Sequence, residues 1–471
     1  MKNLLLFPIL LCGANLYATN FLLSGTIANP IGDSISITFE PVSVGYHPAK
    51  YVRALDKKGG FSFDFDIPEG YTRLDIIHGN QETEFFAEPG ADLYMQMDAK
   101  NFDSTLKYTG KGQEIANFMA RHVLEKNGIV MFGMSTQRIC MKEPDDYIIA
   151  LDGLVNEEMN FLKKYGSNLP ASFKEYYEAY YTYKKYAAMD LYPQFHEMQK
   201  QHSMKVKYIP KENYKVLEKV PAAFNDKYVG MEAYREFLFN YSPTHLAART
   251  AGDTTAQTKL RTDECLDMEY KEMPSKTAEY CAAHTIYVVT KYYTYDELTK
   301  MFSDYKKHFP NSPYSAELEQ SIANKKIVAV GKKVIDFDIT EPDGNKLKLS
   351  DLKGNAVYID FWSRGCVPCL AEMPDAKKVR EYFKDKPVKF VYISMDAEES
   401  VWKKAIKDYG VDGLNMHVDK NWESEVVKAY GVKGIPSYFL IDKDGKFAAI
   451  EDLARPSDTK KLIEQIEKLL R

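Results

Sequence analysis

The feature that most constrains the fold is a pair of cysteines set between a strand pattern and a helix pattern. Residues 355–362 read NAVYIDFW, an apolar run typical of a buried strand. Cys366 and Cys369 follow, with Pro368 between them, and a helical pattern then runs toward Phe383. Cysteines three residues apart lie on one helix face, so their sulfur atoms can approach closely. This stretch therefore predicts a dithiol at a strand-to-helix junction.

The patterns around this junction extend the same domain over residues 328–471. Upstream, residues 334–354 predict a hairpin that turns at Asp343 and Gly344. Downstream, the patterns predict in turn a strand, a helix, a hairpin and a last amphipathic helix, at residues 387–396, 399–410, 434–450 and 456–470. The order β-α-β-α-β-β-α predicts an α/β domain with a mixed sheet and helices on both of its faces.

The N-terminal part of the mature chain has a different pattern. In residues 34–40, 59–67 and 82–98, apolar residues alternate with polar ones, and Pro89-Gly90 separates two of the predicted strands. Short strands with turn residues at this spacing are typical of a small sandwich or barrel. We expect residues 20–112 to form a β-sandwich-like, all-β domain.

Residues 113–327 have apolar and aromatic residues at helical spacing. The tyrosine-rich segment between Pro170 and Pro193 predicts one helix, and residues 226–243 and 312–327 predict two more. The chain has 471 residues, too many for one compact core. The expected fold class is therefore α+β multidomain: a β domain, a helical middle domain and a C-terminal α/β domain.

The first 18 residues are expected to be a secretory signal peptide. One lysine precedes an apolar run from Leu4 to Leu11, and a small residue, Ala18, follows at the expected cleavage point. Lipid attachment at Cys12 is a second option, but Leu11 stands where such processing normally requires a small residue. No later stretch reaches the roughly 18 uncharged apolar residues of a membrane helix, so we expect a soluble mature chain.

Six cysteines are too few for a disulfide-framework protein of this length. Cys140, Cys265 and Cys281 remain besides Cys12 and the close pair, so at least one of them is expected to be a thiol. A bridge between Cys265 and Cys281 is one option that the sequence leaves open.

The close pair could be a redox dithiol, half of a metal site, or two inert buried thiols. A zinc site needs four ligands, but the chain has no second Cys-x-x-Cys and no matching cluster among its nine histidines. A strand–dithiol–helix arrangement in an exported chain favours redox chemistry. At a helix N-terminus, free N–H groups and the helix dipole favour a thiolate, so Cys366 is expected to attack and Cys369 to resolve.

Residues 328–471 resemble the TlpA/ResA-like thiol–disulfide oxidoreductases of bacterial envelopes, which have a thioredoxin fold. The resemblance rests on FW before the dithiol, on CVPC itself, on the following E-x-P, and on GIP at residues 434–436. The β domain followed by a helical spacer also resembles a common arrangement in exported members.

The resemblance implies roles for residues outside the dithiol. Pro436 matches the family's cis-proline, which would leave the Ile435 backbone free to pair with a substrate strand; the alternative is a trans turn proline. Asp360 matches a buried acid with a raised pKa that takes the proton of Cys369; the alternative is an exposed acid at a strand end.

Two more matches have equally plain alternatives. Glu372 matches an acidic residue thought to tune the cysteines, although a glutamate in the first helical turn would also complement the helix dipole. Trp362 matches the family tryptophan beside the site, where it could contact a substrate or simply belong to the core.

The chain departs from the family immediately before the first cysteine. A tryptophan or another large residue usually stands there, whereas this chain has Arg364 and Gly365. Gly365 adds backbone freedom and removes a hydrophobic shield, and Arg364 adds positive charge. We expect both to contact substrates, and Cys366 to be more exposed and more acidic than in a tryptophan-bearing relative.

These features together predict an exported, periplasmic thiol–disulfide oxidoreductase that reduces protein disulfides. The resemblance implies protein disulfide or dithiol substrates, a membrane electron donor that re-reduces the enzyme, and a process such as cytochrome c maturation. No metal and no cofactor beyond the Cys366–Cys369 disulfide are expected, and a net charge of -5 gives no sign of nucleic-acid binding. The alternatives are a dithiol oxidase or isomerase, and an envelope binding protein with an auxiliary thioredoxin domain. A peroxidase would need a Thr or Ser near its nucleophile and usually another cysteine spacing.

Overall fold

The computed structural model of the chain forms two compact units. It describes residues 19–45, 48–201, 206, 209–249, 262–290, 293, 295–418, 421–432, 434–450 and 454–471. The first unit extends to Tyr287 and includes Tyr305–Glu317, and the second contains Val288–Asp304 and Leu318–Arg471. The predicted signal peptide and Cys12 lie outside the described residues. The limits of the three predicted domains stay predictions.

The first unit begins with eight strands in two four-stranded sheets. Their bounds are β1 Thr19–Ala28, β2 Ser34–Phe39, β3 Ala49–Ala54, β4 Gly60–Ile67, β5 Thr72–His78, β6 Gln81–Ala87, β7 Asp92–Asp98 and β8 Lys107–Lys111. The sheet orders are β4-β1-β7-β8 and β3-β2-β5-β6. Only the β1–β7 pairing is parallel among these described strands.

The apolar faces of the two sheets pack against each other. Along β2 and β4 every second side chain is buried, as the alternating sequence pattern predicts. Phe39 of β2 stacks on Phe65 of β4 with ring centroids 5.7 Å apart, and Phe21 of β1 lies 6.2 Å from Phe85 of β6. The predicted sandwich is confirmed.

Helices follow the sandwich. Their bounds are α1 Phe102–Thr105, α2 Gln113–Lys126, α3 Ile129–Ile139, α4 Pro144–Tyr165, α5 Ala171–Lys200, α6 Glu232–Arg249, α7 Thr262–Glu272, α8 Ser275–Val289, α9 Tyr295–His308 and α10 Ser315–Ile327. Short 3₁₀ helices cover Lys211–Lys219 and Asp226–Tyr228. The predicted helical character of the middle of the chain is confirmed.

Two predicted helix limits in this region are wrong. Helix α5 continues through Pro193 to Lys200, and α6 begins only at Glu232 and continues through Pro243 to Arg249. A proline removes one backbone hydrogen bond and usually ends or kinks a helix. In α5 the side chains on both sides of Pro193, including Met189 and His196, are buried, so packing holds the helix together across the break.

The second unit is an α/β domain around a five-stranded mixed sheet. Besides most of α9 and α10, it contains β9 Asp338–Thr340, β10 Lys346–Lys348, β11 Ala356–Trp362, α11 Val367–Tyr382, β12 Val388–Ser394, α12 Glu399–Tyr409, β13 Leu414–His417, α13 Glu425–Ala429, β14 Ser437–Ile441, β15 Phe447–Ile450 and α14 Thr459–Leu470. The sheet order is β13-β12-β11-β14-β15, and β9 pairs with β10 in a separate hairpin. Strand β11 is parallel to β12 and antiparallel to β14.

The sheet separates two apolar clusters. One face contributes Tyr358 and Trp362 to a cluster with residues of α11, α12 and α14. The other face contributes Ile359 and Phe361 to a cluster with the β9–β10 region and α13. Helices therefore cover both faces as predicted: α11, α12 and α14 contribute to one cluster, and the short α13 contributes to the other.

Within residues 328–471 the sequence patterns missed the strand β13 and the helix α13. Strand β13 has four residues and pairs in parallel with β12 at the edge of the sheet. Such a short edge strand has too few residues for an alternating pattern to stand out. Among the described residues, no helix combines the length and the apolar character needed to cross a membrane.

The approach to β13 depends on a glycine. Gly413 has a φ of 137°, and a Cβ there would lie 2.8 Å from the carbonyl oxygen of Phe390. We expect Gly413→Ala to lower the free energy of unfolding of the second unit by about 1–3 kcal/mol, because the new side chain would be both strained and too close. All three tryptophans of the chain lie in this unit, so their fluorescence during denaturant unfolding measures the change.

Gly365→Ala is the matched control for this experiment. The backbone of Gly365 is outside the left-handed region, and a Cβ there would meet nothing within 4 Å. Its free energy of unfolding should change by less than about 0.5 kcal/mol. Equal destabilisation by Gly413→Ala and Gly365→Ala would contradict the conclusion that the fold requires a glycine at position 413.

Candidate functional site

The two cysteines lie at the start of α11 and are joined in a disulfide, with Cα atoms 5.2 Å apart. Cys366 is the N-cap residue of α11, and its sulfur accepts a hydrogen bond from the backbone N–H of Cys369 at 3.2 Å. Cys366 is 9% exposed and Cys369 is 1% exposed. Of the two sulfur-bearing residues, Cys366 is therefore the one that a substrate reaches more easily.

The start of α11 favours negative charge on Cys366 after reduction. The sulfur atom in the disulfide occupies the position of the thiolate of the reduced protein. Pro368 lies in the first turn, where its missing N–H would have no intrahelical partner anyway. The remaining N–H groups and the helix dipole place partial positive charge beside Cys366, which lowers the free energy of its thiolate.

Asp360 lies on the face of β11 that contributes to the apolar cluster containing Cys366 and Cys369, which we call the dithiol cluster. Because side chains alternate along a strand, it shares that face with Tyr358 and Trp362. It is 2% exposed, and its Oδ1 has no hydrogen-bond partner among the described residues. Burial raises the pKa of Asp360 to about 8, the charge of Glu372 adds to this effect, and Arg380 opposes it. The exposed-acid alternative is therefore wrong.

Glu372 is buried further along α11. Its Oε2 accepts a hydrogen bond from the backbone N–H of Ser457 at 2.8 Å, and its Oε1 lies 3.5 Å from the guanidinium of Arg455. No acidic residue lies in the first turn of α11, so the alternative of a first-turn glutamate is wrong. The negative charge of this buried, anchored carboxylate raises the pKa of Asp360.

Trp362 belongs to the dithiol cluster, and Ile435, which precedes Pro436, packs against it. Trp362 is fully buried, and its backbone carbonyl accepts a hydrogen bond from the N–H of Met395 at 2.8 Å. The peptide bond between Ile435 and Pro436 is cis, so the trans alternative is wrong. Ile435 is half-buried and packs against both apolar clusters of the domain. The catalytic and substrate-binding roles of these residues stay predictions.

Arg364 and Gly365 form the exposed turn that leads into Cys366. The backbone N–H of Arg364 is held by both carboxylate oxygens of Asp396, at 2.9 and 3.2 Å. The N–H of Cys366 bonds to the carbonyl of Ser363 at 3.2 Å and closes the turn. Cys366 itself stays 9% exposed beside the glycine.

Sequence reasoning missed two polar groups that support the site. Asp396 follows β12 and is also bonded by the hydroxyl of Ser394 at 2.9 Å. Arg380 of α11 donates to the hydroxyl of Tyr392 at 2.7 Å and to the carbonyl of Gly410 at 2.9 Å. Asp396 could have been predicted from the sequence. It follows β12 as the dithiol follows β11, and the carboxyl ends of two neighbouring parallel strands meet at one edge of the sheet.

The other three cysteines of the described residues belong to the first unit. Cys140, Cys265 and Cys281 are buried, and the bridge between Cys265 and Cys281 that the sequence left open is not formed. Burial raises the pKa of Cys281 well above its usual value and also raises that of Cys140. Both therefore stay protonated and poorly nucleophilic. Among the described residues, no group of three or more His, Cys, Asp or Glu side chains is arranged to hold a metal ion.

Known proteins are similar to the second unit. A family model described as Redoxin matches residues 329–466. The thiol–disulfide oxidoreductase ResA of Bacillus thuringiensis subsp. konkukian is 33% identical over 140 residues, which are 30% of this chain and 78% of that protein. ResA of Bacillus subtilis is 30% identical over 128 residues, 27% of this chain and 70% of that protein.

Among solved structures, the thioredoxin domain of a thiol–disulfide oxidoreductase from Bacteroides vulgatus is also similar. The sequence identity is 31%, and the match covers 30% of this chain and 99% of that domain, with a TM-score of 0.28.

The raised pKa of Asp360 makes the stability of the second unit depend on pH. Because the carboxyl group binds its proton more tightly in the folded chain, with a pKa of about 8 against 3.8, its contribution to stability is fully present below about pH 4 and is lost as the pH rises toward 8. Asp360→Asn stays neutral at every pH. We expect this variant to be more stable than the native chain at about pH 9, with a gap that shrinks toward about pH 5.

Tryptophan fluorescence during denaturant unfolding of the oxidised chain at several pH values measures this gap. Asp385→Asn is the control, because Asp385 is exposed in the same unit. A difference between Asp360→Asn and the native chain that does not vary with pH would contradict the prediction.

Proposed function

The chain belongs to the TlpA/ResA-like family of thiol–disulfide oxidoreductases, and we propose that it is an exported enzyme that reduces disulfides in other proteins with Cys366 and Cys369. The observation that carries this proposal is the hydrogen bond from the Cys369 N–H to the Cys366 sulfur at the N-terminus of α11. It gives the first cysteine the environment of a reactive thiolate and places the second within bonding distance of it.

In the first step, the Cys366 thiolate attacks one sulfur of a substrate disulfide. A bond forms between Cys366 Sγ and that sulfur, the substrate disulfide breaks, and its second sulfur leaves as a thiolate that takes a proton from water. Cys366 is assigned this step because it caps the helix and is the more exposed of the pair.

In the second step, Cys369 resolves the mixed disulfide. Asp360 takes the thiol proton of Cys369, and the new thiolate attacks Cys366 Sγ. The Cys366–Cys369 disulfide forms, and the remaining substrate sulfur leaves as a thiolate. A carboxyl group with a pKa of about 8 suits this role, because it can accept and return a proton near neutral pH.

The neighbouring residues have supporting roles in this scheme. Glu372 helps to keep the pKa of Asp360 high, as its negative charge disfavours a second one nearby. The Ile435 backbone pairs with the substrate strand beside Pro436, and Trp362 packs behind the dithiol. Buried side chains with perturbed pKa values around one pair of sulfur atoms are typical of an active site.

The proposed direction is reduction in the periplasm, with a membrane electron donor that restores the dithiol. This direction follows from the family resemblance, and the suggested place in cytochrome c maturation stays a prediction. The reduction potential of the full chain in a glutathione buffer tests the direction. A strongly oxidising value near about −120 mV would instead assign the dithiol-oxidase alternative.

The two cysteines should respond differently to substitution. We expect Cys366→Ser to lower the rate of reduction of a model protein disulfide by more than about a hundredfold, because the attacking sulfur is gone. Cys369→Ser keeps the attacking sulfur but cannot resolve, so it should accumulate a mixed disulfide through Cys366. Non-reducing gels and mass spectrometry of the trapped species measure both effects.

Cys140→Ser is the control, because Cys140 is a buried thiol of the first unit. It should keep the native rate. If Cys366→Ser reduced the model protein disulfide at the native rate, the proposal would be refuted. A protein that captured partners without any mixed disulfide in Cys369→Ser would support the binding-protein alternative.

A further inference from the structure

The fold does not require a glycine at position 365. Other glycines of the same domain are required, such as Gly410 with a φ of 60° and Gly413 with a φ of 137°. The backbone of Gly365 lies outside that left-handed region, and a Cβ added there would meet nothing within 4 Å. A Cβ atom would therefore cause no clash, and the space beside the glycine is available to another molecule.

This space belongs to an open pocket beside the first cysteine. We call it the Gly365 pocket; it is lined by Arg364, Gly365, Asp396, Val401 and Tyr409. Val401 and Tyr409 come from α12 and supply an aliphatic and an aromatic surface, and Tyr409 is 40% exposed. Because Gly365 immediately precedes Cys366, we expect the residues next to a substrate cysteine to lie near this pocket in the mixed disulfide.

The unpaired charge at the Gly365 pocket is positive. Asp396 is 7% exposed, and its carboxylate already accepts hydrogen bonds from the Arg364 N–H and the Ser394 hydroxyl. The guanidinium of Arg364 is exposed and makes no hydrogen bond or ion pair with any residue that the structure describes. An acidic group on a bound molecule would complement this charge.

We propose that the Gly365 pocket selects protein substrates by the residues beside their reactive cysteine. A bulky apolar or aromatic side chain next to that cysteine occupies the pocket against Val401 and Tyr409, and a neighbouring acidic residue pairs with Arg364. This inference rests on the proposed oxidoreductase function and names its substrate class. Burial of apolar surface stabilises the mixed disulfide, and the charge pair excludes basic neighbours.

Four synthetic peptides test the proposal with the full-length, fully reduced chain. Each contains one cysteine joined by a disulfide to glutathione, followed by Phe or Ala and then by Glu or Lys. Two electrons pass from the Cys366–Cys369 dithiol to the peptide disulfide, which gives peptide thiol, glutathione and the protein disulfide. Each rate constant is divided by that of the same peptide with dithiothreitol, which corrects for intrinsic thiol reactivity.

The native chain should reduce the Phe–Glu peptide about tenfold faster than the Ala–Lys peptide. Gly365→Phe and Gly365→Leu fill the pocket and should abolish the preference for Phe over Ala. Arg364→Glu should reverse the preference for Glu over Lys. Lys377→Glu makes the same charge change at an exposed position of α11 and should keep both preferences.

Corrected rates that agree within about twofold for all four peptides would overturn the inference and leave the proposed function intact. Failure to reduce any peptide would instead contradict the proposed function. A dimer of the native chain that Gly365→Phe separates in sedimentation velocity would assign the pocket to a second copy, which also overturns the inference. Each preference is a ratio of two rates measured with the same variant, so a general loss of activity leaves the ratio unchanged. Tryptophan fluorescence shows whether each variant is folded.

Discussion

The chemistry of the second unit centres on one hydrogen bond, from the N–H of Cys369 to the sulfur of Cys366. The first N–H groups of a helix have no intrahelical partner, and most helices satisfy them with an oxygen of Ser, Thr, Asp or Asn. Here a sulfur takes that position. The atom that caps α11 is therefore the atom that reacts, so the start of the helix and the reactivity of the first cysteine are set by the same contact. The neighbouring bonds from Arg364 to Asp396 and from Met395 to Trp362 hold the strand end from which this helix begins.

The acids beneath the dithiol oppose stability. Asp360 is fully enclosed with one carboxyl oxygen that lacks a partner among the described residues, and the nearby charge of Glu372 makes its ionisation still less favourable. Burying a polar group without a partner destabilises a fold. Arg380 offsets part of this cost through its charge while it is itself anchored to Tyr392 and Gly410. An arrangement that costs stability and raises the pKa of a carboxyl group to about 8 supports the proposed role of Asp360 in proton transfer.

The sequence predicts those features whose signal is local. The run of β11, the two cysteines and the helix after them are contiguous, and the sandwich strands alternate clearly enough to be recognised. Asp360 and its burial were expected from the family resemblance alone, because β11 is buried at every position and shows no alternation. The four-residue β13 and the supporting Asp396 and Arg380 depend on which strands become neighbours, and that is decided by packing over long sequence distances. Pro193 shows the opposite failure, since a valid local rule was overridden by burial of the surrounding helix.

The chain's departure from its family can now be given a more specific meaning. With Gly365 in place of the family's large residue, Cys366 is 9% exposed. The neighbouring core and the turn from Ser363 to Cys366 still cover it. Gly365 lines a pocket together with Arg364, Asp396 and the α12 residues Val401 and Tyr409. The proposed effect of this departure is therefore on the residues that accompany a substrate cysteine, while a more exposed and more acidic Cys366 than in a tryptophan-bearing relative stays a prediction.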